Sequence, residues 1–125
     1  MQADPAPTPP LRVVVVDADD RVRESLSRLL CIGDKLCVVG MAGAPEPGLE
    51  IVKATEPDIV VVDPRLPEVD GGLAFIQQVR DVAPDAKVLV MSPSDTPELP
   101  ELKSSADRVV RKTFRATDLL SAILG

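Results

Sequence analysis

Ile59-Val60-Val61-Val62-Asp63 is the stretch that decides how this chain folds. Four consecutive β-branched residues suit a strand buried on both faces, the mark of a parallel sheet. The run ends on a carboxylate. Val13-Val14-Val15-Val16 repeats the pattern and ends on Asp17. Val88-Leu89-Val90-Met91 ends on Ser92, and Val109-Val110, after Asp107-Arg108, passes through Arg111 into Lys112. Parallel strands place their C-terminal ends on one edge, and ligand and reaction sites of open α/β sheets lie along it. Two carboxylates, a hydroxyl and an ammonium are therefore expected to converge on one pocket. Chemically, that is the outline of a phosphoryl site.

Between these runs the pattern alternates with helices. A helix is expected from about Asp20, with Val22, Leu26, Leu29 and Leu30 at helical spacing and Gly33 as its stop. Leu36–Val39 reads as a strand. Pro45 and Pro47 open a second helix with Leu49, Ile51 and Val52 inward. Pro57 closes it, and Asp58–Val62 is the third strand. A loop holding Pro64, Pro67 and Gly71-Gly72 leads to a helix at about Leu73–Arg80. Pro84 precedes the strand Lys87–Met91. Pro93, Pro97 and Pro100 crowd the fourth helical segment and shorten it. Arg108–Arg111 is the last strand and Ala116–Leu124 the last helix. Five βα units with right-handed crossovers make a three-layer α/β sandwich. Residues 1–10 carry Pro5, Pro7, Pro9 and Pro10 without apolar periodicity, so they are expected to form a flexible leader to one domain over 11–125.

Composition bounds the function classes. A chain of 125 residues builds a single core. At 2% aromatic residues, with no Trp or Tyr, that core must be Val, Leu, Ile and Ala. A net charge of −6 argues against this domain gripping nucleic acid, which needs a basic face. No apolar stretch approaches a membrane span, and no export signal is visible at the N-terminus. Cys31 and Cys37 are expected as reduced, mostly buried thiols in a cytoplasmic protein.

One segment carries a family resemblance. In Pro57-Asp-Ile-Val-Val-Val-Asp63-Pro-Arg-Leu-Pro67-Glu-Val-Asp70-Gly71, an apolar strand ends on Asp, with Pro four residues on and Asp-Gly seven and eight on. This resembles the receiver domain of two-component response regulators, over about Leu11 to Leu124. The spacing from Gly40 to Asp63 and the run Glu101 to Lys112 are similar to the NarL/FixJ subfamily. The resemblance implies a flavodoxin-like (βα)5 sandwich with a five-stranded parallel sheet in the order 2-1-3-4-5. It implies Asp63 as phosphoryl acceptor from a sensor histidine kinase. Mg²⁺ would be held by Asp17, Asp63 and the backbone carbonyl of Arg65. Lys112 would pair with Asp63 and then with a phosphoryl oxygen, while Ser92 would bond another. Such receivers usually precede a helix-turn-helix DNA-binding domain, and their usual dimer face is the fourth helix, fifth strand and last helix. No turnover of a small substrate is expected. The chemistry is consistent with the residues: a carboxylate can attack phosphorus, and the gathering negative charge calls for a divalent cation and fixed positive groups.

The chain also departs from that family. Two adjacent acids normally follow the first strand, but here the second is Ala18, in Asp17-Ala18-Asp19-Asp20. Losing that carboxylate should weaken Mg²⁺ binding about tenfold or more, unless Asp19 compensates. The family's switch aromatic in the fifth strand falls at Val109, which has no second pose to swing into. Pro93 follows Ser92, and Pro100 is expected to cut the fourth helix. Thr113 stands after Lys112 where many receivers carry Pro, so a cis peptide is not expected there. Arg65 and Ser94, two residues past Asp63 and Ser92, sit where the family tunes phosphoryl lifetime. The whole reads as an atypical receiver.

Other classes compete. Asp17-Ala18-Asp19 after a strand also fits a haloacid-dehalogenase-type phosphatase, but that motif is short and leaves Asp63 to Gly71 unexplained. A flavodoxin-like binding module would hold a ligand at the same edge without covalent chemistry. An interaction domain dimerising through its last helix would work without phosphorylation; Leu119, Leu120 and Ile123 there either pack inward or contribute to that face, and core packing is expected for most of them.

Overall fold

The structure is a computed structural model, and it describes residues 9–31, 35–66, 68–92, 99–111 and 123. Strands and helices alternate: β1 (Leu11–Val16), α1 (Asp20–Leu30), β2 (Leu36–Ala42), α2 (Pro45–Thr55), β3 (Ile59–Val62), α3 (Val69–Val82), β4 (Lys87–Ser92), α4 (Leu99–Ser105) and β5 (Arg108–Arg111). The strands form one parallel sheet in the order β2-β1-β3-β4-β5. This is the expected five-stranded, flavodoxin-like order.

The β-branched runs are explained by what covers the sheet. Side chains of a strand alternate between faces. Val14, Val16, Val60, Val62, Val88 and Val90 pack on one face with Val52 of α2, Phe75, Ile76 and Val79 of α3 and Leu102 of α4. Val13, Val15, Ile59, Val61, Leu89 and Met91 pack on the other with Leu26 and Leu30 of α1 and with Ile123. Both faces are dry, so neither phase of the alternation tolerates a polar residue until the strand ends. Ile123 is helical and buried, while the rest of the expected last helix lies outside the described residues.

Four details differ from expectation. Strand β2 runs on to Ala42, because it pairs with β1 to its end across a bulge where Val13 faces Val38 and Val14 faces Gly40. Gly40, just past the expected end of the strand at Val39, belongs to it. A Cβ there would lie 2.4 Å from Ile51 Cγ2, so its missing side chain lets α2 pack closely. Helix α3 starts at Val69, so Gly71 and Gly72 lie in its first turn rather than in a loop. Pro100 does not cut α4 but sits in its first turn, where a missing N–H leaves no helical bond unmade. Cys31 is exposed at the end of α1 and Cys37 half-buried, both as free thiols, so the expectation of mostly buried cysteines fails for Cys31. Gly33 lies outside the described residues. Among the described residues no helix is long and apolar enough to cross a membrane.

Candidate functional site at the C-terminal strand edge

Asp17 follows β1 directly, Asp63 follows β3 and Ser92 ends β4. Strand register brings the first two level: Val16 pairs with Val62, and Asp63 N–H donates to the Val16 carbonyl at 2.9 Å. Val62 pairs with Val90, so Ser92 stands one residue beyond them on the next strand. Their burial singles them out. Among the described residues the buried polar or charged side chains are Asp17 (1% exposed), Asp63 (4%) and Ser92 (1%). Withdrawing carboxylates from water is costly unless partners or a ligand compensate, so a shared edge holding all three marks a site.

Each carboxylate is fixed by the chain that follows it. Asp17 Oδ1 accepts from the Asp19 amide at 2.8 Å, and Asp63 Oδ1 accepts from the Arg65 amide at 3.0 Å. These are the turn-forming bonds of a strand-end Asp. Capping of this kind occupies one oxygen of each carboxylate.

Asp19 has a structural task. It is the N-cap of α1, with Oδ1 accepting from Arg21 and Val22 amides at 2.8 and 3.3 Å. Ala18 is exposed. Val109 is half-buried, pairs with Val90 and packs against the α2–α3 side of the core. Arg65 is exposed and reaches Asp63 through its amide. Lys112, Pro93, Ser94 and Thr113 lie outside the described residues, as do Leu119 and Leu120.

The donor set suits a hard cation. Mg²⁺ takes oxygen ligands, commonly one or two carboxylates, and Asp17, Asp63 and the Arg65 carbonyl offer that chemistry. The set is also thin: among the described residues no group of three or more His, Cys, Asp or Glu side chains could hold a metal ion.

Two residues contact this edge in ways outside the sequence expectations, Gly72 standing in an expected loop and Arg23 on an expected helix. At Gly72 a Cβ would lie 1.9 Å from the Pro64 carbonyl oxygen, so only glycine lets α3 back onto the peptide next to Asp63. Its signal was available, because Gly72, Phe75, Ile76 and Val79 are spaced as one helix face. Arg23 donates to the Asp17 carbonyl at 2.6 Å, and nothing in its spacing announces that contact.

At the opposite edge, a cavity of about 250 Å³ is lined by Ile59, Lys87, Leu89, Asp107 and Arg108, among others. Asp107 there accepts from the Val88 amide at 2.7 Å and pairs with Arg80 at 3.0 Å, tying β4 to α3. It lies away from the buried carboxylates.

A doubly covered parallel sheet with two carboxylates and a hydroxyl at its C-terminal edge is an arrangement whose chemistry suits phosphoryl groups or hard cations. The comparisons narrow it. The family model described as "Response regulator receiver domain" matches residues 13–124, and the chain belongs to that family. It is 27% identical to the nitrate/nitrite response regulator protein NarL of Escherichia coli K12, over 91% of this chain and 53% of that protein. It is 32% identical to the response regulator MprA of Mycolicibacterium vanbaalenii, over 90% of this chain and 48% of that protein. The chain thus spans about half the length of these curated relatives. Among solved structures it resembles a signal receiver domain of Mycobacterium tuberculosis, from a response regulator designated NarL. That match has a TM-score of 0.82 at 30% identity and covers 94% and 95% of the two chains.

Proposed function

We propose that this receiver accepts a phosphoryl group on Asp63 from a sensor histidine kinase in the cytoplasm, through a pocket that binds Mg²⁺ weakly. The observation that carries this reading is the burial of Asp17, Asp63 and Ser92 at one strand edge. A carboxylate oxygen of Asp63 forms a bond to phosphorus as the bond from phosphorus to the donor imidazole nitrogen breaks, and that nitrogen keeps the electron pair. The amide of Arg65 holds Oδ1 and so orients the attacking group. Asp17, Asp63 and the Arg65 carbonyl would hold Mg²⁺. When bound, it supplies positive charge against the charge that gathers on the phosphoryl oxygens. Ser92 donates its hydroxyl to one of those oxygens and Lys112 its ammonium to another. Ala18 contributes no ligand, and Asp19 has one oxygen committed to capping α1. Phosphorylation is therefore slow. Val109 gives no aromatic relay, so switching is blunted.

Homodimerisation and a DNA-binding domain or separate effector complete the proposed output, in line with relatives about twice this length. Transfer from acetyl phosphate tests the chemistry. It should give a hydroxylamine-labile acyl phosphate, whereas a hydroxylamine-stable adduct, or none at any Mg²⁺ concentration, would overturn it. Lifetime adds a finer prediction. Arg65 is bulky and exposed beside the acceptor, so Arg65→Ala should hydrolyse its phosphoryl group several-fold faster. Fast hydrolysis in the wild type, unchanged in the variant, would remove Arg65 from that role.

A further inference from the structure

Arg23 lies on α1, six residues past Asp17, yet its side chain reaches back to the acid edge. Its Nη1 donates to the backbone carbonyl of Asp17 at 2.6 Å. Its Nη2 pairs with the Asp20 carboxylate. The guanidinium also lies against Gly43, where a Cβ would come within 2.6 Å of Nη1. The side chain is only 20% exposed, which is unusual for an arginine on the first turns of a helix.

The segment it grips leaves the sheet just after Asp17. The last strand bond there runs from Asp17 N–H to the Ala42 carbonyl at 3.0 Å. Beyond it the chain turns on carboxylate bonds: Asp19 N–H to Asp17 Oδ1, then Arg21 and Val22 N–H to Asp19 Oδ1. Ala18, in the middle of that turn, adds no side-chain bond.

We infer that Arg23 is a positioning residue for the metal-binding carboxylate. Its planar fork bridges the Asp17 carbonyl and Asp20, fixing the peptide that carries Asp17 against α1 and the β2–α2 loop. A lysine ammonium lacks that planar fork, so it holds the two acceptors in a less fixed geometry. The inference rests on the receiver reading above, but its test includes a readout that needs no metal.

Two variants separate position from charge. Arg23→Gln removes both. Gly43→Ala keeps the charge and pushes the guanidinium aside, and because the atom displaced is the far end of a flexible side chain, the fold should survive. In both, amide exchange at Asp19 should accelerate while exchange at Val14 and Val15 stays slow. Mg²⁺ affinity by calorimetry should fall about tenfold, the size expected for loss of a group that orients a ligand. Arg23→Lys should fall between Gln and wild type. Unchanged Asp19 exchange in both variants would overturn the inference. So would tighter Mg²⁺ binding in Arg23→Gln with wild-type binding in Gly43→Ala, which would make Arg23 a simple repelling charge. If the wild-type chain takes up no Mg²⁺ at all, the metal part of the receiver reading fails, and the exchange data alone decide on Arg23.

Discussion

Gly72→Ala should lower stability and slow phosphorylation together. A Cβ at this position would sit 1.9 Å from the Pro64 carbonyl oxygen and 2.5 Å from its carbon. Those are backbone atoms, so no rotamer change relieves the overlap and either α3 or the β3–α3 loop must move. Overpacking of this kind costs about 3 kcal/mol at the upper end of the usual range. Alanine regains about 1 kcal/mol of helix propensity over glycine, leaving a net loss of about 2 kcal/mol by difference. Urea unfolding should show a lower midpoint with an unchanged slope. The second consequence follows from position. Pro64 is bonded to Asp63, so the shift is delivered to the acceptor, whose carboxylate is held by the Arg65 amide one residue further on. Phosphorylation that stays at the wild-type rate in a destabilised Gly72→Ala would show that the close approach serves the core alone.

Ala18→Asp should tighten Mg²⁺ binding about tenfold or more. Residue 18 is exposed beside the buried Asp17, so the new carboxylate is tolerated sterically and faces no core. It adds negative charge next to Asp17, Asp19 and Asp20, which should destabilise the metal-free protein by like-charge repulsion. Mg²⁺ should reverse the sign, because a ligand that binds only the folded state stabilises it by RT ln(1 + L/Kd) at free ligand concentration L, which rises as Kd falls. Thermal unfolding with and without Mg²⁺ measures both effects: a lower midpoint than wild type in chelator, a higher one in excess Mg²⁺. An affinity equal to wild type would mean that Asp19, despite its capping role, already fills the place.

The fold was legible because the sheet is covered on both faces. Val13 to Val16 and Ile59 to Val62 have no polar phase, which suits strands buried on both faces. The buried polar edge was legible for the same reason: Asp17, Asp63 and Ser92 are where those runs stop. What the sequence hid depends on contacts between distant segments. Gly40 falls past its expected strand and Gly72 in an expected loop, but each lies inside an element at a place where a helix closes on a backbone. Pro100 reads as a break and is a helix start, since its effect depends on whether a first turn lies there. Arg23 reads as one more charge on a helix surface, and only the Asp17 carbonyl beside it gives it a role.

The central claim is that Asp63 remains an acceptor in a pocket with weakened metal binding. Intact-mass spectrometry over a time course with acetyl phosphate and graded Mg²⁺ tests it most directly. Wild type should gain a single phosphoryl group slowly and incompletely at low Mg²⁺ and faster as Mg²⁺ rises, Ala18→Asp should gain it at lower Mg²⁺, and Asp63→Asn should gain none. Rapid, complete addition to wild type at low Mg²⁺ would contradict the weakened pocket, and addition that persists in Asp63→Asn would contradict the acceptor.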